Sequence, residues 1–271
     1  MPVMIATAPN GARKTQQDHW AIPIISSELA NTAAECLDAG ACMIHLHVRD
    51  ENQGHSLDPL RYKEAIKSVR DQVGDRLIVQ ITTEAVGIYK PEEQIEVVKS
   101  VKPEAASIAL KEFCPDQSYE TQAAMFFEWM YQERVAPQYI LYDEKDIVRF
   151  NEYLSRGLIP GDKHTILLVL GRYTKDQQSD PNDLDQLIDL VDKSHLWWLC
   201  AFGQTESLCM AKAMALGGHC RVGFENNMLL PDGSLAKGNS DLVDITVKNA
   251  MSQERSVADA DEAREVMGFR A

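Results

Sequence analysis

Eight times along this chain a short, almost uninterrupted apolar run is followed by a stretch with helical period, and no other feature limits the fold as sharply. The runs fall at residues 3–8, 42–48, 77–83, 105–110, 138–142, 165–170, 197–202 and 219–222. The helical stretches fall at 27–39, 59–72, 91–100, 119–134, 144–154, 181–191, 206–216 and 240–251. Runs that are apolar throughout, rather than alternating with polar residues, predict parallel strands covered on both faces. Ser26, Ser27 and Glu28 predict a helix start, as do Asp180 and Pro181, while Gly40, Gly157 and Gly217 stand where helices end. Eight such units in 271 residues predict a (β/α)₈ TIM barrel, a single domain over 1–271 whose last stretch, 252–271, is a capped surface helix. The rival, a doubly wound sheet, lacks its fingerprint: no G-x-G-x-x-G follows any strand, and no G-x-x-x-x-G-K-[ST] occurs.

Composition narrows the partners. A formal charge of −14 opposes attraction to phosphate backbones and anionic lipid, so neither nucleic acid nor a membrane is expected. No apolar run approaches the ~18 residues a bilayer span needs, and MPVMIATAPN lacks the pattern of an export signal. A soluble, cytoplasmic protein is expected. Its six cysteines form no C-x-x-C pair and read as free thiols.

A barrel also says where chemistry belongs, at the C-terminal strand ends. The second run ends in His45-Leu46-His47-Val48-Arg49, and side chains two apart on a strand share a face, so His45, His47 and Arg49 are expected to point together into the barrel mouth. Two neutral imidazoles there suit a borderline metal such as Zn²⁺; the alternative is two buried histidines bonded to neighbouring backbone. Glu225 follows the last strand, which closes back beside the first, and so supplies the expected third ligand. Two His and one carboxylate leave coordination positions open, as a catalytic metal requires.

The strings AGACMIHLHVRD (39–50), GGHCRVGFENN (217–227) and GSLAKGN (233–239) resemble the β-keto acid cleavage enzyme family, and the resemblance runs from APNGA (8–12) to the terminal helix. It implies a Zn²⁺-dependent (β/α)₈ enzyme, a homo-oligomer and by resemblance a tetramer, that condenses a β-keto acid with acetyl-CoA to give acetoacetate and a new CoA thioester. Zinc on His45, His47 and Glu225 would then bind the keto acid. Thr82 and Thr83 match hydroxyl positions that hold the substrate carboxylate, with Ser107 in a similar role, and Arg221 matches an arginine of the proton-transfer network. Arg49 or Arg221 is expected to engage an anionic group. In the loop 171–175, Arg172 and Lys175 could meet CoA phosphates or simply be solvated.

This chain departs from the family's pattern at the base. Asn226 stands where members carry an aspartate, and an amide cannot accept the proton. By alignment Ile140 replaces a second carboxylate, and Lys14 stands about where the best-known member has a glutamate. Glu84 follows the Thr82-Thr83 pair where the family usually has glycine, which makes it the candidate relocated base; the alternative is a solvated loop glutamate. The leading expectation is therefore a β-keto acid cleavage enzyme diverging in base or substrate. Two others stand beside it: a CoA-independent metal-assisted keto-acid lyase or aldolase, and a non-catalytic metal or keto-acid binder.

Overall fold

The eight expected strands close on themselves in the computed structural model, which describes residues 1–269. In chain order the elements are β1 (Ile5–Thr7), α1 (Ser26–Asp38), β2 (Met43–Leu46), β3 (Val48–Arg49), β4 (His55–Ser56), α2 (Pro59–Val73), β5 (Ile78–Ile81), α3 (Pro91–Val101), β6 (Ala105–Ala109) and α4 (Leu110–Phe113). There follow α5 (Glu120–Glu133), β7 (Ala136–Leu141), α6 (Glu144–Ser155), β8 (Thr165–Leu170), α7 (Asp183–Ile188), β9 (Leu196–Ala201), α8 (Glu206–Ala215), β10 (His219–Val222), α9 (Asn239–Ser252) and α10 (Ala260–Met267). The barrel runs β1-β10-β9-β8-β7-β6-β5-β2, with every neighbouring pair parallel, while β3 and β4 form a small antiparallel hairpin above it.

Two apolar layers hold this arrangement, and strand alternation sorts residues between them. Outward-facing Ile44, Leu46, Val79 and Ile108 join Tyr62, Val69 and Phe126 in the larger cluster beneath the helices. Inward-facing Met43, Ile78, Ala105, Leu167 and Trp198 form a smaller cluster inside the barrel. Each such buried large side chain contributes about 1.5–3 kcal/mol of transfer free energy, which offsets the entropy lost on ordering the chain. Above the inner apolar layer the inward positions turn polar, and the site begins there. Among the described residues no helix is long and apolar enough to cross a membrane. All six cysteines are buried and unpaired.

Several local expectations need correction. The first helix is preceded by Ile25, not capped by Ser26; the Glu28 carboxylate reaches back to the Ile24 and Ile25 amides at 2.8 and 3.2 Å. Pro181 precedes α7 without opening it, because Asp180 closes a turn by accepting from the Asn182 amide. The expected terminal helix is α10, capped by Asp259 with Glu262 returning the bond; the 252–271 stretch also covers Arg270 and Ala271, which lie outside the described residues. The helix does more than lie on the surface. Its Ala260 and Ala263 pack on the inner cluster, and Arg264 pairs with Glu104 at 2.5 Å, so it closes the N-terminal mouth opposite the site.

Candidate active site

β10 lies beside β1 and β1 beside β2, so the chain leaving β10 passes directly over the imidazoles of His45 on β2 and of His47 just after it. Two glycines permit that passage. Gly223, at φ 139°, sits where a Cβ would fall 2.4 Å from the Ala8 carbonyl, and Gly11, at φ 60°, where one would fall 2.6 Å from Glu225 Cγ. The Glu225 amide donates to the Ala8 carbonyl at 3.0 Å, and Asn239 at the start of α9 accepts from the Phe224 amide at 2.8 Å. These contacts aim the Glu225 side chain inward.

Three donor atoms converge as a result. His45 Nε2 lies 3.2 Å from His47 Nε2, and Glu225 Oε2 lies 3.7 and 3.3 Å from them. His45 Nδ1 donates to Gln80 Oε1 at 2.7 Å, which leaves its Nε2 as a bare lone pair. Gln80 in turn donates to Gln138 Oε1 at 3.2 Å. Burial, reinforced by the Arg221 charge, lowers the His45 pKa to about 3, so the ring is neutral. Burial alone would raise the Glu225 carboxyl, but Arg221 and His47 outweigh it and hold it well below the usual carboxylate range. Glu225 Oε2 is buried with no hydrogen-bond partner. The bare His45 Nε2, the His47 ring facing it and an orphaned carboxylate oxygen, with donor atoms all within 4.8 Å of one another, fit a divalent cation.

The other expected residues divide by what they touch. Arg221 donates to Glu225 Oε1 at 3.1 Å and to Cys200 Sγ at 3.4 Å, and with His45, Thr82, Ile140, Tyr142 and Val169 it lines the inner lobe of a cleft. Thr82 Oγ1 accepts the Glu84 amide at 3.0 Å, so its own hydroxyl hydrogen is free to donate into that lobe. Thr83 is different: its hydroxyl donates to the Ser107 carbonyl at 2.6 Å. Ser107 Oγ and both amide atoms of Asn226 are buried without partners. Arg49 is not directed at the cleft, because β2 ends at Leu46 and the hairpin redirects the chain. Its guanidinium donates to the carbonyls of Asn10, Gly11, Lys14 and Gln53.

Glu84 stands where the inner lobe meets an outer one lined by Asn10, Gly11, Arg13, Lys14 and Gln177. Arg13 and Arg172 both approach its Oε1, at 2.8 and 3.5 Å. Burial pushes this carboxyl upward, but the neighbouring His47 and the Arg13 hydrogen bond prevail and its pKa is lowered. Lys14 Nζ donates to the carbonyls of Phe224 and Glu225 at 2.8 and 2.9 Å. Arg172 thus reaches the cleft from the 171–175 loop.

Gln80, Gln138 and Asn239 have no mark in the sequence beyond being polar, and Glu206 has even less. Its carboxyl is buried at the start of α8, where it accepts from the Gly223 amide and, at 3.2 Å, from Asn227 Nδ2. It thereby braces the loop carrying Glu225. Burial raises its pKa from an ordinary 4.5 to about 8. Below about pH 4.5 it is protonated whether the chain is folded or not, whereas between there and pH 8 only the folded chain keeps the proton. Its contribution to stability therefore falls as pH rises across that window. In thermal unfolding, Glu206→Gln is expected to match the wild type near pH 4.5 and to exceed it by several degrees at pH 8. A constant difference in Tm across that range contradicts the assignment.

Fold and site together define a closed (β/α)₈ barrel with a candidate metal-binding cleft at the C-terminal strand ends. The sequence matches the beta-keto acid cleavage enzyme family over residues 2–269, and the chain belongs to that family. It is similar to the 3-keto-5-aminohexanoate cleavage enzymes of Acetoanaerobium sticklandii, at 30% identity over 98% of each chain, and of Fusobacterium nucleatum subsp. nucleatum, at 29% over 99% of this chain and 98% of that one. It is 27% identical to the 3-oxoadipate:acetyl-CoA acetyltransferase of Cupriavidus necator, over 99% of this chain and 95% of that one. The apo structure of ObcA shares the fold, with a TM-score of 0.76 at 16% identity, over 92% of this chain and 66% of ObcA.

Proposed function

We propose that this chain condenses a β-keto acid with acetyl-CoA. The C2–C3 bond of the keto acid breaks, its carboxymethyl carbon joins the acetyl group as acetoacetate, and the remaining acyl group leaves as a CoA thioester. The observation that carries the reading is the convergence of His45, His47 and the partnerless Glu225 oxygen beneath a cleft that also holds Arg221 and the free Thr82 hydroxyl. Those three ligands would hold Zn²⁺, which polarises a ketone and stabilises the enolate that forms from it.

The chain's own groups supply the rest. Thr82, with the partnerless Ser107 hydroxyl of the neighbouring β6, donates to the substrate carboxylate, while Thr83 ties the end of β5 to the Ser107 carbonyl in the middle of β6. Arg221 keeps Glu225 oriented and ionised. Asn226 cannot take the C2 proton, so its unpaired amide serves as a hydrogen-bonding group. Glu84 takes the proton, being the other carboxylate that lines the inner lobe and ionised near neutrality. Arg49 positions the 10–14 loop that carries Arg13 and Lys14 to the outer lobe. The six buried thiols support a reducing, cytoplasmic setting. A homo-oligomer, with a tetramer expected from family resemblance, would have exposed apolar side chains such as Trp20, Ile88 and Met125 available to cover.

The test is a panel of β-keto acids assayed with acetyl-CoA on zinc-loaded protein, following both acetoacetate and the new thioester. Both products are expected together, in equal amounts. A carbonyl fragment released without acetyl-CoA would instead indicate a lyase or aldolase, and saturable binding without turnover a non-catalytic binder.

A further inference from the structure

The cleft is cationic in a protein whose formal charge is −14. Three guanidinium groups line it, those of Arg13, Arg172 and Arg221, and Lys14 adds a fourth basic side chain. Two carboxylates answer them. Glu225 pairs with Arg221 at 3.1 Å, which leaves Glu84 to serve both Arg13 and Arg172 through a single oxygen. Guanidinium stays charged at any physiological pH, so this imbalance exists before a divalent cation adds to it. The carboxylate common to every β-keto acid balances one positive charge. A second anionic group on the substrate would balance another.

Placement says where that group goes. Arg172 stacks on the ring of Phe202, 5.4 Å from its centroid, and Phe202 belongs to both lobes. From the Thr82 end of the inner lobe, Ile140, Val169 and Phe202 form an apolar wall leading to Arg172. Resting on the function proposed above, we propose that the substrate is a β-keto dicarboxylic acid: its acyl chain runs along this wall, and its distal carboxylate binds Arg172 and Arg13. Planar guanidinium forks match a carboxylate in a way an ammonium or a methyl group cannot.

Three six-carbon probes test this on zinc-loaded protein: 3-oxoadipate, which ends in a carboxylate, 3-oxohexanoate, which ends in a methyl group, and 5-amino-3-oxohexanoate, which carries an ammonium. The diacid is expected to have a kcat/KM about 10–100-fold above the other two, the scale of one charge-assisted bidentate contact. That ratio is expected to fall to within about threefold in Arg172→Gln, and to fall likewise in Arg13→Gln, whose side chain is 54% exposed and tolerates change. Equal use of the three probes overturns the proposal, as does a preference for the ammonium compound. So does a rise in KM for acetyl-CoA with the diacid preference intact, since the guanidiniums would then belong to CoA phosphates. Calorimetry with 3-oxoadipate and 3-oxohexanoate keeps the question separate from turnover: if no probe reacts, the diacid must still bind more tightly to wild type than to Arg172→Gln, and equal affinities reject the substrate class whatever the reaction.

Discussion

His47→Ala is expected to abolish stoichiometric zinc and to lower turnover by about 10³-fold or more while the barrel stays folded. A bound divalent cation contributes several kcal/mol of charge stabilisation to a reaction through an enolate, which corresponds to that loss of rate. Among the described residues no other donor joins this cluster, so removing His47 leaves His45 and Glu225, whose atoms are 3.7 Å apart. Folding is expected to survive loss of the metal, because the barrel is held by two apolar layers and a continuous ladder of parallel strands. His45→Ala is expected to behave in the same way. Metal analysis by mass spectrometry, alongside circular dichroism, checks both variants; one zinc per chain retained in both would remove these histidines from the site.

Glu84→Gln is expected to cost about 10²–10⁴ in kcat with zinc content unchanged, the usual scale for losing a general base. The substitution is clean in structural terms. Its backbone stays anchored whatever the side chain, since the amide donates to Thr82 Oγ1 and the carbonyl accepts from His55 Nε2. An amide at this position also frees Arg13 and Arg172 from their shared carboxylate, so KM for an anionic keto acid is expected to fall while kcat collapses. A solvated glutamate would move neither. The pH profile carries the same assignment: a base must be ionised, so activity rises as pH climbs through the Glu84 pKa, and the His47 and Arg13 neighbours move that limb to the acid side of the group's ordinary value. Full activity in Glu84→Gln removes it as the base. A wild type inactive on every keto acid, with activity appearing in Asn226→Asp, identifies the chain as a binder that has lost its base.

The match to the beta-keto acid cleavage enzyme family over residues 2–269 agrees with the resemblance carried by the H-L-H-x-R and G-G-H-x-R-x-G-x-E strings. Both strings are local, and local patterns are what a sequence displays openly. The alternation of apolar runs with helical stretches determined a closed parallel barrel, because strands covered on both faces must be apolar throughout. Strand period placed His47 beside His45, and the two rings do meet although β2 ends at Leu46, one residue before His47. Glu225 followed from closure, since the last strand has to lie beside the first.

Tertiary structure decided the rest. Strand period misdirects at Arg49, because β2 ends two residues before the hairpin strand that carries it, and a break in the strand cancels the alternation. The Gln80 contact that sets the His45 tautomer, the Glu206 carboxyl under the Glu225 loop, and the meeting of Arg13 and Arg172 on Glu84 join positions that are 35, 21, 71 and 88 residues apart, counting Glu206 to Asn227 for the second. No period or spacing encodes such pairs. They exist because barrel closure gathers the C-terminal ends of separate strands into one mouth, where residues distant along the chain share a desolvated space and balance one another's charge.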